Sequence, residues 1–161
     1  MVPTAISASQ KLLVTGEIGV DANLYTDKSV SYGPAGTAMT TLTGLTQAAH
    51  FMKALSGGVG TIDMEALPNV NGGAVVVGTG LRVKWAYFAN PSTNANPITI
   101  SFGAANPYVG FGAAFNITLA PGAKFGPIFT NDAGSDISGT CSDLDLAGTG
   151  VQALECEFVL G

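Results

Sequence analysis

The sequence predicts an all-β fold: a single β-sandwich or barrel domain, preceded by a flexible N-terminal arm. Three observations carry this. Apolar residues recur with a period of two through the second half of the chain, and turn residues interrupt them every 8–12 residues, the signature of a sandwich or barrel. Glycine (22) and proline (8) are abundant, as short strands with tight turns require. Hydrophobic residues make up 47% of the chain and charged residues only 11%, against about 25% in an ordinary soluble domain. That rules out a solvated disordered chain, and it points to a surface that meets other protein.

The elements follow in chain order. Residues 1–10 are small and polar and form the arm; residues 11–161 form the domain. "QKLLVTGEI" (10–18) reads as a strand, and 26–46, rich in Gly, Ser and Thr, as a long loop or weak edge strands. "QAAHFMKAL" (47–55) fits a helix through Ala48, Phe51, Met52 and Leu55, or a strand through Ala49, Phe51, Lys53 and Leu55. The following "SGGVG" and "TIDMEAL" favour the strand, in a hairpin with Ile62, Met64 and Ala66 on one face.

Residues 81–103 read as a β-hairpin. Leu81, Val83, Trp85 and Tyr87 share a face opposite Arg82 and Lys84, and Ile98, Ile100 and Phe102 repeat the pattern. The loop "NPSTNANP" between them is free to meet solvent or a neighbour. Phe115, Ile117 and Leu119 mark another strand, and "PGAKFGPIFT" (121–130) starts the next on a Pro-Gly turn. Ile137, Leu144 and Leu146 mark short strands. "VQALECEFVL" closes the domain with Leu154, Cys156, Phe158 and Leu160 inward and Glu155 and Glu157 outward. The expected core is therefore Val83, Trp85, Ile98, Ile100, Phe102, Ile117, Leu154, Cys156 and Phe158.

Chemistry is sparse in this chain. With a net charge of −5 and six scattered Lys and Arg, no basic stripe exists to neutralise phosphates, so nucleic acid is not an expected partner. No apolar run approaches the roughly 20 residues of a membrane-spanning helix. "MVPTAISASQ" lacks the basic and apolar regions of a secretory signal, so folding in a cytoplasm is expected. "GAVVVGTG" (73–80) has phosphate-loop spacing, but Thr79 stands where the lysine belongs. "NIT" (116–118) matches a glycosylation sequon, but it lies within an expected strand.

His50 is the single histidine, with no sequence-local nucleophile or second metal ligand, and reads as a surface or subunit-contact residue. Cys156 reads as a small buried hydrophobe; a bond to Cys141 would need an oxidising compartment. Carboxylates come in pairs. Asn131, Asp132 and Asp136 in "NDAGSD" form the best calcium candidate, although the loop lacks the dense ligand alternation calcium requires. Asp143 and Asp145 are the pair an acid–base enzyme would use. Glu155 and Glu157 keep an outer strand face soluble. No catalytic, cofactor or metal residue is expected.

From residue 47 onward the layout resembles small virion structural proteins of tailed bacteriophages. The resemblance is carried by "TIDMEAL" (61–67), "LRVKWAYFANPS" (81–92), "ITISFGAANPY" (98–108), "ITLAPGAKFGPIF" (117–129), "SDLDLAGTG" (142–150) and "ALECEFVLG" (153–161). It implies a capsid decoration or cement protein: a β-sandwich or jelly roll, homo-oligomeric and often trimeric, on the outer face of a major capsid lattice. The expected partners are the major capsid protein and copies of the chain itself, assembled in a host cytoplasm. The arm, through Val2, Pro3 and Ile6, and the loop at Tyr32 and Pro34 are the expected contacts, since low-charge flexible segments gain most from a partner. The competing expectations are a tail, neck or fibre component, a carbohydrate-binding module stacking sugars on Tyr25, Tyr32 or Tyr108, an extracellular filament subunit, and an enzyme.

Overall fold

Eight strands form two antiparallel four-stranded sheets in a computed structural model, which describes residues 30–32, 40–42, 46–68, 75–112, 114–129 and 135–161. Two short strands, β1 (Val30–Tyr32) and β2 (Thr40–Leu42), pair with each other. The main strands are β3 (Gln47–Leu55), β4 (Val59–Asp63), β5 (Val83–Ala89), β6 (Ile98–Phe102), β7 (Asn116–Leu119), β8 (Lys124–Phe129), β9 (Asp143–Ala147) and β10 (Gln152–Leu160). One sheet runs β3-β10-β5-β8 and the other β4-β9-β6-β7. Among the described residues the one helical element is a 3-10 turn at Met64–Ala66, capped by the Asp63 carboxylate, which accepts from the Glu65 N–H at 2.8 Å. The expected strand at 10–18 and the N-terminal arm lie outside the described residues.

The last strand shows why period two suffices locally. Leu154, Cys156, Phe158 and Leu160 are all buried, while the residues between them are half-buried on the other face. Ile98 and Ile100 of β6 and Leu144 and Leu146 of β9 meet them from the opposite sheet in one continuous core. Phe158 lies at its centre, edge-on to Phe88 at 5.6 Å and stacked on Phe51 at 6.2 Å. Tyr108 is fully buried. Its hydroxyl accepts the Val83 N–H at 3.2 Å, and burial pushes the phenol up to about 12. The same desolvation raises the thiol of Cys156, and Cys141 and Cys156 are both free.

Both expected hairpins are corrected. Gly57 and Gly58 form a two-residue turn at φ 60° and 85°, closed by the Ser56–Val59 bridge. Beyond that bridge β3 and β4 separate into different sheets. In the same way β5 pairs with β10 and β8, whereas β6 pairs with β9 and β7. Residues 90–97 therefore form an arch between sheets. This loop is not free. Asn90 is buried, and its Nδ2 donates to the carbonyls of Leu119 at 2.8 Å and Asn96 at 3.2 Å. Asn94 Nδ2 donates to Asn90 Oδ1 at 2.6 Å and to the Ala153 carbonyl at 2.7 Å. Gln152 Nε2 reaches the Asn96 carbonyl at 2.6 Å. The arch crosses the end of the core, where its backbone groups need partners away from water, and two asparagines and a glutamine supply them.

Three core expectations also change. Trp85 does not share a face with Val83. A bulge at Lys84, opposite the Val159–Leu160 step, inserts one residue and reverses the alternation. Val83, Ala86 and Phe88 enter the core, while Trp85 and Tyr87 stack at 6.2 Å on the outer face. Trp85 is still only 8% exposed, and its indole Nε1 has no hydrogen-bond partner among the described residues. Phe102 keeps the inward parity but ends its strand, where the core no longer covers it, and it is 39% exposed. Ile117, on the edge strand β7, is half-buried against the core. Met64 is buried as expected, but Ala66 is exposed because the 3-10 turn ends the alternation after Met64.

A second bulge shapes β8. Gly126 and Pro127 together face Tyr87, between the pairs Ala86–Ile128 and Phe88–Phe125. Gly126 has φ 114°, and a Cβ there would stand 2.8 Å from the Ala86 carbonyl oxygen. Gly126→Ala is expected to cost about 1–3 kcal/mol, as side chains in such conformations do; a urea midpoint unchanged from wild type would rule this out.

Candidate functional site

The outer face of the β3-β10-β5 sheet gathers the chain's one histidine, two carboxylates and its one tryptophan. Antiparallel register arranges the side chains in rows across three strands. One row is His50, Glu157 and Tyr87; on either side lie Ala48, Val159 and Trp85, and Met52, Glu155 and Ala89. The nine-residue strands β3 and β10 pair along their whole lengths, from Gln152–Leu55 to Leu160–Gln47, which pins the rows.

Within this grid His50 Nε2 lies 3.1 Å from Glu155 Oε1 and 3.7 Å from Glu157 Oε1. The three donor atoms all fall within 4.8 Å of one another. Their neighbours on the face are apolar: Ala48, Met52, Trp85, Ala89 and Val159, with Tyr87 beside Glu157. The trio carries excess negative charge, and its two glutamates are partly withdrawn from water between apolar neighbours. Burial accordingly raises the Glu157 carboxyl above the usual range, opposed by His50 and reinforced by Glu155.

The sign of that shift makes a prediction. A carboxyl whose folded value is raised contributes stability while protonated and loses it as the pH rises through that value. Glu157→Gln is therefore expected to raise the melting temperature near neutral pH, with the gain shrinking as the pH falls through the carboxylate range. Melting curves at several pH values check this; a gain that grew at low pH would contradict it.

The other expected sites are placed differently. Asp136 pairs with Arg82, its Oδ1 accepting from Nε, while Asn131 and Asp132 lie outside the described residues. Asp145 accepts from the Thr61 hydroxyl at 3.0 Å and the Ala104 N–H at 2.8 Å, and Asp143 accepts from the Ser142 hydroxyl at 2.8 Å. Asp145 thereby ties strand β9 to β4 and to the turn after β6, while the Asp143 bond is local. Tyr108 is buried and offers no surface for a sugar ring. Val2, Pro3, Ile6, Tyr25 and Pro34 lie outside the described residues, and Tyr32 belongs to β1.

Sequence reasoning missed the trio because His50 and Glu155 are 105 residues apart. The usable signal was parity: in the strand reading of 47–55 His50 faces outward, as do Glu155 and Glu157 in the closing strand. Nothing local showed that these two strands are neighbours.

Among the described residues no helix is long and apolar enough to cross a membrane. No protein-family model matches the chain, and no curated protein or solved structure matches it.

Proposed function

We propose that this chain is a virion structural protein of the tailed-bacteriophage type, a homotrimeric capsid decoration protein that binds the outer face of the major capsid lattice. The observation that carries the reading is the strand order. Counting β3 to β10 as one to eight, the sheets read 1-8-3-6 and 2-7-4-5. The pairs β3·β10, β4·β9, β5·β8 and β6·β7 are those of one long ribbon folded back on itself. The pairs β10·β5 and β9·β6 roll that ribbon into two layers. This supports a jelly-roll sandwich, an architecture frequent in viral capsid and lectin domains. The resemblance carried by residues 47–161 supports the virion reading, and the low charge content agrees with it.

In this role the chain acts by mass action. A protein that binds assembled lattice better than free subunits shifts the equilibrium toward the intact shell. Symmetry repeats weak contacts, and their multivalency supplies the strength. The reading assigns the chain no catalytic step.

The test is native mass by light scattering, negative-stain microscopy of the same sample, and rebinding to capsids stripped of decoration protein. A closed trimer that rebinds saturably is the expected result. Tubes or rings would move the assignment to the tail, and a monomer that binds glycans but not capsid would move it to a lectin-like module.

A further inference from the structure

We propose that His50, Glu155 and Glu157 form a binding site for one divalent transition-metal ion of the zinc class, on the outer face of the β3-β10-β5 sheet. The argument is geometric and chemical, and it does not depend on the virion reading. Donors bound to a tetrahedral zinc ion at 2.0–2.2 Å lie about 3.3 Å apart. The histidine nitrogen here is 3.1 and 3.7 Å from one oxygen of each glutamate, and all three donors lie within 4.8 Å of one another, so side-chain rotation that draws the two carboxylates together completes the set. The donors stand on two fully paired neighbouring strands, so the backbone is already set for them.

The donor set selects the metal. One imidazole and two carboxylates suit Zn²⁺, Cu²⁺, Ni²⁺ or Co²⁺, whereas Ca²⁺ and Mg²⁺ require six or more oxygens or retained water. Two glutamate charges would be balanced by one divalent ion, which makes their apolar frame favourable when the ion is bound. His50 is exposed and the two glutamates are half-buried, so the remaining coordination positions point to solvent, open to water or to a donor from another molecule.

The test uses the full chain, stripped with a chelator and titrated with ZnCl₂ by calorimetry. Trp85 adds a second readout. It is the chain's one tryptophan, on the same face two strands from His50, about 10 Å away at strand spacing. Its fluorescence is expected to be quenched saturably by Cu²⁺. One Zn²⁺ per chain is expected, with binding weakened at least tenfold by His50→Gln and by Glu157→Gln, unaffected by Cys141→Ser, and not displaced by millimolar Ca²⁺ or Mg²⁺. His50 is exposed and Glu157→Gln is expected to melt no lower than wild type, so loss of binding in these variants would not reflect unfolding. Undiminished binding in His50→Gln, absence of saturable Zn²⁺ binding, or equal competition by Ca²⁺ would each overturn the proposal.

Discussion

Replacing Phe158 by alanine is expected to lower stability by about 3–5 kcal/mol, the range for large buried aromatics truncated in a closed core. Phe158 is 1% exposed and packs against Phe88 and Phe51 of the flanking strands β5 and β3, in the core that the facing sheet closes. Both rings lose a face, and strands β3, β10 and β5 around the site cannot collapse without breaking register. Phe102→Ala is the control: at 39% exposure, on a strand end, it is expected to cost less than about 1 kcal/mol. Urea denaturation of the two variants measures the contrast. Equal losses would mean that the core is not where the register puts it.

Asn90→Ala is expected to cost about 2–4 kcal/mol, although it removes only a small polar side chain. The carbonyls of Leu119 and Asn96 would lose a donor, and the Asn94 amide would lose an acceptor. A buried group left unpaired costs about 1–3 kcal/mol; Asn94 retains the Ala153 carbonyl and the Asn96 carbonyl retains the Gln152 amide, so the Leu119 carbonyl bears the largest loss. Asn96 contributes to this network through its backbone carbonyl, so Asn96→Ala should stay within about 0.5 kcal/mol of wild type. If both variants melted alike, the arch would be held by its backbone and not by Asn90.

These two residues mark the limits of what the chain shows before it folds. Phe158 was legible because alternation is local: each residue of β10 takes its face from the one before. The same rule placed Val83, Ile98, Ile100, Leu154 and Cys156 correctly. It failed at Trp85 because parity survives only while the strand has no bulge, and the extra residue at Lys84 is fixed by where β10 ends against β5. It failed differently at Phe102, where parity held but coverage by the facing sheet did not.

What the sequence by itself determined is an all-β chain, the approximate place of its later strands and the faces those strands bury, because backbone pleating imposes a period of two wherever a strand forms. What only the tertiary structure decided is which strands are neighbours. Pairing depends on contacts between residues far apart in the chain. It turned two expected hairpins into crossings between sheets, recruited Asn90 and Asn94 to hold one of those crossings, and brought His50 beside two glutamates more than a hundred residues away.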